Sequence, residues 1–232
     1  VDPNLINPWG MSFAPGGPFW VSNQGTNTST LYDGTGAAIP LVVNIPHGEG
    51  APIGPTGQVF AGGKGFNLSD GSEGLFFFAN LDGTISGWNF DAGTDALITG
   101  NPANGDHPAI YTGLALGNVG SDNYLYAANG LTGAIDVYGT DFGLATLAGN
   151  FVDPGPNPDG LVPFNIHNIG GHMFVTYAVA GPDPDEAELG SGFVSEFNAD
   201  GTFIRRLTTG GSLASPWGVA LAPDGYGSFG GA

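Results

Sequence analysis

Acidic residues are concentrated in one short segment of the sequence. The segment contains four carboxylates: Asp183, Asp185, Glu186 and Glu188. Carboxylate oxygens are hard ligands of the kind that Ca²⁺ prefers, although the spacing is not that of an EF-hand, which needs a glycine at its sixth position and a terminal glutamate. The segment therefore predicts a Ca²⁺ site, with a solvated acidic loop as the alternative. Ca²⁺ is the one cofactor that the sequence suggests. Nothing in the sequence indicates that the protein requires a cofactor.

Two histidines indicate a second arrangement that could hold a metal. His47 and His107 each precede a predicted strand, with Glu49 and Asp106 close by in the sequence. Imidazole and carboxylate groups together suit several divalent metals. We therefore treat His47 and His107 as candidate ligands of one mixed site, the alternative being that each is a surface loop residue.

The sequence contains no pattern typical of nucleophilic catalysis. A Gly-x-Ser-x-Gly elbow is absent, and the absence of cysteine excludes thiolate catalysis and Cys-ligated metals. The glycine-rich stretch around Lys64 lacks the spacing of a phosphate-binding loop. We identify no catalytic residues, and an enzymatic function is the less favoured interpretation.

The elements that must position these residues come from a repeat. A short motif occurs five times, and its matched positions are separated by 47, 56, 52 and 53 residues. Repetition at this period is typical of propellers and solenoids. The five copies begin at Asn7-Pro8-Trp9-Gly10, Gly54-Pro55-Thr56-Gly57, Ile110-Tyr111-Thr112-Gly113, Val162-Pro163-Phe164-Asn165 and Ser215-Pro216-Trp217-Gly218.

Each motif is followed by further segments of strand length. β-branched and aromatic runs bounded by Gly and Asn are typical of strands, and four strands in each unit match a propeller blade. An aromatic residue recurs in the third run and is predicted to pack between blades: Tyr32, Trp88, Tyr138 and Phe197. The prediction is an all-β propeller with four four-stranded blades and the first strand of a fifth, in a single domain over residues 1–232.

This architecture places the remaining candidates near a central channel. Sites are expected on the face where the inner strands begin, because the loops of a rigid scaffold usually carry function. His167 lies within an inner strand and aligns with Ser12, Val59, Ala115 and Ala220, so it is predicted to line the channel or to be a hydrogen-bonded structural histidine. The candidate ligand-contacting residues at the channel mouth are Trp9, Asn23, Asn129, His167 and Trp217.

The charge of the chain limits its partners. Three basic residues against 21 acidic ones give a net charge of -18. A protein with this charge is not expected to bind the phosphate backbone of a nucleic acid. No apolar stretch is long enough to cross a bilayer. Nucleic acid and membrane spans are therefore not predicted.

Several segments together resemble a bacterial family of conserved hypothetical secreted proteins associated with PEP-CTERM sorting. The resemblance runs in order from Asn7-Pro8-Trp9-Gly10 through Asp82-Gly83-Thr84-Ile85-Ser86-Gly87-Trp88 to Pro163-Phe164-Asn165-Ile166. It implies an NHL-like β-propeller of six blades and a secreted, extracellular or periplasmic location in bacteria. It implies no reaction and no functional residues.

The resemblance also sets an expectation for length, while the residues themselves set one for function. Six blades would need on the order of 310 residues, so the chain is expected to be C-terminally incomplete. The alternatives are processing or proteolysis, an incomplete sequence, and an assembly in which another chain or a second copy supplies the missing strands. The expected function is a secreted binding, scaffold or structural module. The alternative is a metal-dependent hydrolase or lyase like the lactonase and amidating-lyase propellers.

Overall fold

The computed structural model describes residues 2–47, 54–100, 108–157, 159–179 and 188–231. The described chain folds into four antiparallel sheets that follow one another in sequence order. The predicted all-β propeller of sheet-like blades is thereby confirmed. No helix in these ranges has the length and apolar character needed to cross a bilayer.

The strands of each blade are consecutive along the chain. The first blade contains β1 (Pro8–Phe13), β2 (Phe19–Asn23), β3 (Thr28–Tyr32) and β4 (Ala38–Asn44). The second contains β5 (Pro55–Phe60), β6 (Phe76–Asn80), β7 (Ile85–Trp88) and β8 (Leu97–Gly100). The third contains β9 (Tyr111–Val119), β10 (Asp122–Asn129) and β11 (Ala134–Tyr138). The fourth contains β12 (Val162–Ile169), β13 (His172–Ala178), β14 (Phe193–Asn198) and β15 (Phe203–Thr209). The inner strands β1, β5, β9 and β12 lie side by side in that order.

Hairpin turns of sequence Asp-Gly-Thr connect the outer strands of two blades. The Asp33 carboxylate accepts hydrogen bonds from the backbone N–H and the hydroxyl of Thr35, at 2.8 and 2.7 Å. Asp200 accepts the same pair of bonds from Thr202. The hydroxyl bond and then the backbone bond hold the pKa of each carboxyl below its usual range. The side chain thus replaces part of the backbone hydrogen bonding in the turn.

Aromatic side chains fill the space between neighbouring blades. Trp20 of the first blade stacks on Phe76 of the second, with ring centroids 4.2 Å apart. Trp88, Tyr138 and Phe197 are all fully buried in the three interblade clusters, as the sequence predicted. Each such side chain contributes about 1.5–3 kcal/mol through burial. The fourth member of the set, Tyr32, lies on the side of the first blade that faces no other described blade, and its hydroxyl donates to Asp2.

The glycine of the repeated motif marks where inner strands approach most closely. A Cβ atom on Gly10 would lie 2.5 Å from the Thr56 carbonyl oxygen, and one on Gly57 would lie 2.1 Å from the Leu114 nitrogen. A Cβ on Gly113 would meet the Asn165 side chain at 2.0 Å. Only glycine fits at these three positions, because a real Cβ does not come so close to another heavy atom. The motif is therefore a packing signal between consecutive inner strands.

The third blade differs from the prediction of four strands. After β11 the chain forms only an isolated bridge between Tyr138 and Leu144. Phe142, with a positive φ of 58°, packs against Phe66 and Phe77 with centroid distances of 5.8 and 5.7 Å. The chain turns to bring this ring into the core, so that a regular fourth strand does not form there.

The segment that was predicted as the first strand of a fifth blade does not form a strand. Residues 215–221 have no strand assignment and pair with no sheet among the described residues. Ser215 has a positive φ of 48°, and a strand needs a hydrogen-bonded neighbour that the described chain does not place there. Trp217 instead packs against the inner strands of other blades.

Candidate functional site

The structure brings the inner strands of all four blades around one cavity of about 400 Å³. Ser12, Val59, Ala115 and His167, one from each inner strand, all line it. These are four of the five positions that the sequence aligned; the fifth, Ala220, is not among the lining residues. The other lining residues are Phe13, Pro15, Gln58, Phe60, Leu114, Leu116, Ile166 and Asn168. We call this space the axial cavity.

An aromatic layer lies at the end of the channel where the inner strands begin. Trp9 makes edge contacts with Trp217 and Phe164, with centroid distances of 5.8 and 5.7 Å. The Trp217 indole N–H donates to the carbonyl of Thr112 at 2.9 Å. The axial cavity lies on the other side of this layer, toward the turn at Pro15. The expectation of a site on the face where the inner strands begin stays a prediction; among the described residues, Trp9, Phe164 and Trp217 lie at that end.

The His167 side chain both lines the axial cavity and makes structural hydrogen bonds. Its Nε2 lies 2.9 Å from the Asn165 side-chain nitrogen and 3.1 Å from the Trp217 carbonyl oxygen. Burial lowers the pKa of His167, and the hydrogen bond to Trp217 opposes that effect without cancelling it. The imidazole is therefore neutral at pH 7, and it ties the segment at Trp217 to β12.

Two polar atoms of the cavity residues are buried without a partner. The Gln58 side-chain nitrogen donates to the carbonyls of Gly10 and Trp20, at 2.8 and 2.6 Å. Its Oε1, and the hydroxyl of Ser12, have no hydrogen-bond partner among the described residues. A buried polar group left in this state costs about 1–3 kcal/mol, and such groups usually bond to ordered water or a ligand.

Gln58 was not among the sequence candidates, although a signal existed. It occupies the same register as Met11, Leu114 and Ile166, and is the single polar residue at that position of the four inner strands. Asn168, which donates to the Leu116 carbonyl at 2.8 Å, was also missed. It too is the single polar residue at its position of the four inner strands. A comparison of each inner-strand position across blades would have found both residues.

Asn23 and Asn129 do not reach the axial cavity. Both are fully buried. The Asn23 amide donates to the hydroxyls of Thr28 and Thr30, and the Asn129 amide donates to Asp136 at 2.9 Å. These side chains join the second and third strands of their own blades. Their predicted contact with a ligand stays untested, and the geometry gives it no support.

A buried polar cluster between the second and third blades accompanies Asn129. The Tyr111 hydroxyl donates to Asp136 at 2.8 Å and contacts the Tyr138 hydroxyl. Burial raises the pKa of both tyrosines well above their usual range, so both stay protonated as donors. The cluster is closed by its own hydrogen bonds and explains why Tyr111 replaces proline in the third motif.

Most of the predicted metal ligands lie outside the described residues: Asp183, Asp185, Glu186 and His107. His47 and Glu188 are described and both are exposed. Within the described part of the chain, no group of three or more His, Asp or Glu side chains is arranged to hold a metal. The Ca²⁺ site and the mixed histidine site both stay predictions.

Comparison with curated proteins corrects the expected relatives. No family model matches the chain. It is 33% identical to the uncharacterized protein L690 of Acanthamoeba polyphaga mimivirus over 233 aligned residues, covering 96% of this chain and 60% of that protein. It is 32% identical to the uncharacterized protein R648 of the same virus, covering 96% of this chain and 57% of that protein. The predicted PEP-CTERM-associated bacterial family is therefore wrong, since these relatives are viral. The chain spans about 60% of the length of the relatives it matches.

Solved structures agree on the architecture. The Dos1 propeller matches with a TM-score of 0.54 at 14% identity, over 91% of this chain and 52% of that one. A streptogramin B lyase matches with a TM-score of 0.52 at 16% identity, over 88% and 55%. A chain of a nidogen/laminin complex matches with a TM-score of 0.54 at 14% identity, over 91% and 66%. Identities this low show the fold alone, and the fold they show is the β-propeller.

Proposed function

We propose that this chain is a β-propeller binding module whose ligand occupies the axial cavity. The observation that carries the proposal is that all four inner strands contribute side chains to one cavity of about 400 Å³. Matching propellers include a lyase and a member of a protein complex, and fold alone does not decide between such functions. The cavity is what favours binding.

The chemistry of the lining also favours binding over catalysis. Among the described residues that line the cavity, none is a carboxylate, and the single imidazole, His167, has its Nε2 close to Asn165 and to the Trp217 carbonyl. General acid–base catalysis needs such a group within reach of the substrate. A metal-dependent hydrolase or lyase is the weaker alternative, because in the described part of the chain His167 is the single lining side chain of a type that commonly ligates catalytic metals.

Filling the cavity is expected to abolish binding, and the unfolding midpoint of the variant must be measured beside its binding because Ala115 also belongs to an interblade core cluster. Ala115 is buried in β9 and lines the cavity, so Ala115→Phe places a ring in the space. Saturation-transfer NMR with a library of small uncharged fragments is expected to show ligands for the wild type that the variant does not bind. Ala38→Phe is the matched control, since Ala38 is exposed on the outer strand β4. Equal binding by all three proteins would place the ligand elsewhere and reject the proposal.

Metal content separates the binding function from the enzymatic alternative. We expect purified protein to retain no stoichiometric transition metal after dialysis against a chelator. Calorimetric titration is expected to detect Ca²⁺ binding in the range of about 10⁻⁴–10⁻³ M that is typical of extracellular modules, weakened in Asp185→Asn and unchanged in Asp33→Asn, an exposed turn carboxylate. A tightly held metal that is lost in His167→Ala would support the lyase or hydrolase function instead.

Protein partners and cellular location can be proposed only in general terms. Met11 and Phe13 are 63% and 56% exposed on β1, whereas Leu114 and Ile166, which match Met11 in the third and fourth blades, are buried between blades. This exposed surface supports contact with a second copy or another chain, in keeping with a scaffold role. The secreted location was implied by the bacterial resemblance, and the viral relatives give it no support.

A further inference from the structure

We propose that Asn67 is the N-glycosylation site of this chain when it passes through a eukaryotic secretory pathway. The modifying group is an oligosaccharide, joined through its anomeric carbon to the Asn67 side-chain nitrogen. This site is independent of the axial cavity and of the ligand that the cavity binds. Three observations support it: an acceptor sequence, the exposure of that sequence, and the different environment of a second acceptor sequence in the first blade.

The chain contains two sequences of the Asn-x-Ser/Thr type that accept an N-linked oligosaccharide. They are Asn27-Thr28-Ser29 and Asn67-Leu68-Ser69, and neither has proline as its middle residue. An N-linked oligosaccharide is bulky and solubilising. A folded protein therefore accommodates one only where the asparagine side chain faces the solvent, and this requirement separates the two sequences.

Asn67 lies in a small hairpin within the loop that joins β5 to β6. An isolated bridge between Asn67 and Glu73 closes this hairpin. Phe66 and Leu68, on either side of Asn67, are buried between the second and third blades. Successive side chains of extended backbone point to opposite sides, so Asn67 and Ser69 are exposed. An oligosaccharide on Asn67 thus extends into the solvent without displacing a packed side chain.

The Asn67 amide is also available for the transfer. It makes no side-chain hydrogen bond to another residue in the part of the chain that the structure describes. The donor is an oligosaccharide linked to a lipid through a diphosphate. The Asn67 nitrogen forms a bond to the anomeric carbon, the bond from that carbon to the diphosphate oxygen breaks, and the lipid diphosphate leaves. The nitrogen gives up one proton in the same reaction.

Asn27 has the same type of acceptor sequence but is held inside the fold. Its side-chain nitrogen donates to the Ile45 carbonyl, and its backbone carbonyl accepts from the Ile45 N–H at 3.0 Å. Ser29, the third residue of this sequence, is fully buried and donates its hydroxyl to the Val21 carbonyl at 3.1 Å. An oligosaccharide on Asn27 would lie against these buried groups. A chain modified there is therefore not expected to reach the native fold.

The test is expression of the full chain behind a cleavable secretion signal in cultured mammalian cells. Peptides from the medium and from the cell membranes are mapped by mass spectrometry, with and without an amidase that removes N-linked oligosaccharides. The amidase leaves aspartate in place of a modified asparagine, which identifies the site. The secreted protein is expected to carry an oligosaccharide on Asn67 and none on Asn27.

Two serine variants provide the matched comparison. Ser69→Ala destroys the acceptor sequence but keeps Asn67, and it is expected to abolish the modification of Asn67. Ser121→Ala, at an exposed turn outside both sequences, is expected to be modified as the wild type is. Removing the oligosaccharide from the secreted protein is expected to shift the unfolding midpoint by less than about 2 °C, as for a change on an exposed surface.

The contrary outcomes are distinct from those of the binding experiments. An unmodified Asn67, in the medium or in the membrane fraction, would overturn the proposal. An oligosaccharide on Asn27 in secreted protein with the wild-type unfolding midpoint would overturn the distinction between the two sequences. Modification of Asn67 that persists in Ser69→Ala would show that the acceptor sequence is not its cause. None of these results changes the binding function, which the fragment library tests.

Discussion

Replacement of Gly57 by alanine is expected to lower the free energy of unfolding by about 3 kcal/mol, the upper part of the usual range for an overfilled site. The added Cβ would lie 2.1 Å from the Leu114 nitrogen and 2.6 Å from the Gly113 carbonyl carbon. Both are backbone atoms of β9, which is held by its ladder with β10 and cannot yield as a flexible side chain would. The inner strands β5 and β9 must separate, and the interblade contacts around them weaken. Chemical denaturation followed by tryptophan fluorescence measures the loss.

The fifth copy of the motif supplies a matched control for this substitution. Gly218 occupies the same motif position as Gly57, has no atom within 4 Å of a built Cβ and does not adopt a positive φ. Gly218→Ala is therefore expected to change stability by less than about 0.5 kcal/mol, or to raise it slightly by restricting the unfolded chain. If both variants lose the same stability, the close approach of the inner strands is not the reason for the glycine. If Gly57→Ala is as stable as the wild type, the approach itself is contradicted.

The repeat made the blades predictable because its signals are local and occur in every copy. Each blade needs an aromatic residue at the same place on its third strand, so Trp88, Tyr138 and Phe197 could be assigned to the interblade core from spacing alone. The irregular parts could not be assigned in this way. Phe142 enters the core after β11 because of a backbone turn with positive φ, and nothing in the local pattern distinguishes that turn from an ordinary strand boundary.

The candidate site was predictable only in part, for a related reason. His167 could be placed in the cavity because it shares a register with Ser12, Val59 and Ala115. An asparagine at the end of a strand, such as Asn23, is equally compatible with an exposed turn and with a buried link to the next strand. Only the three-dimensional structure shows that the Asn23 amide is used inside the blade. The orientation of the Gln58 amide likewise depends on two carbonyls, both from the neighbouring first blade and both distant in sequence.

The fourth blade departs from the link that Asn23 and Asn129 provide in the earlier blades. Tyr177 takes the matched position, and Ser195, which lies opposite Val175 on the next strand, donates its hydroxyl to Asp153. The Arg206 Nε also donates to Asp153, at 2.7 Å. The Asp153 side chain is 3% exposed and that of Arg206 is 18% exposed, so this is a largely buried ion pair. It joins the segment before β12 to β14 and β15 of the fourth blade.

The surroundings of Arg206 indicate how strongly the stability of the fold depends on Asp153. One guanidinium nitrogen donates to the Pro156 carbonyl at 2.8 Å, and the guanidinium carbon lies 4.0 Å from the centroid of the Phe193 ring. Phe193 in turn stacks on Tyr177, with ring centroids 4.1 Å apart. Loss of the Asp153 carboxylate would leave a positive charge in this aromatic pocket with one backbone carbonyl as its remaining hydrogen-bond acceptor among the described contacts.

Asp153→Ala is therefore expected to lower the free energy of unfolding by about 3–5 kcal/mol at pH 7, as for a buried ion pair that loses one partner. The double variant Asp153→Ala with Arg206→Met is expected to lose less than the sum of the single variants, because it removes the unpaired charge as well. Additive losses in this double-mutant cycle would show that the two side chains are not coupled. Asp33→Ala, at an exposed turn carboxylate, is the control, and its loss should be within about 1 kcal/mol.

The dependence on pH follows from the pKa of Asp153. Burial alone would raise that pKa, but the hydrogen bonds from Arg206, Ser195 and Gly155 outweigh it and hold the pKa below its ordinary value of 3.8. Since the folded pKa is the lower one, the pair stabilises the protein fully above about pH 4. This stability is lost as the pH falls through the folded pKa. The difference in unfolding free energy between wild type and Asp153→Asn should then be constant from pH 7 to about pH 4 and shrink below it. The difference is the quantity to measure, because the other acidic residues among the 21 change the stability of both proteins alike, and a difference that grew on acidification would contradict the lowered pKa.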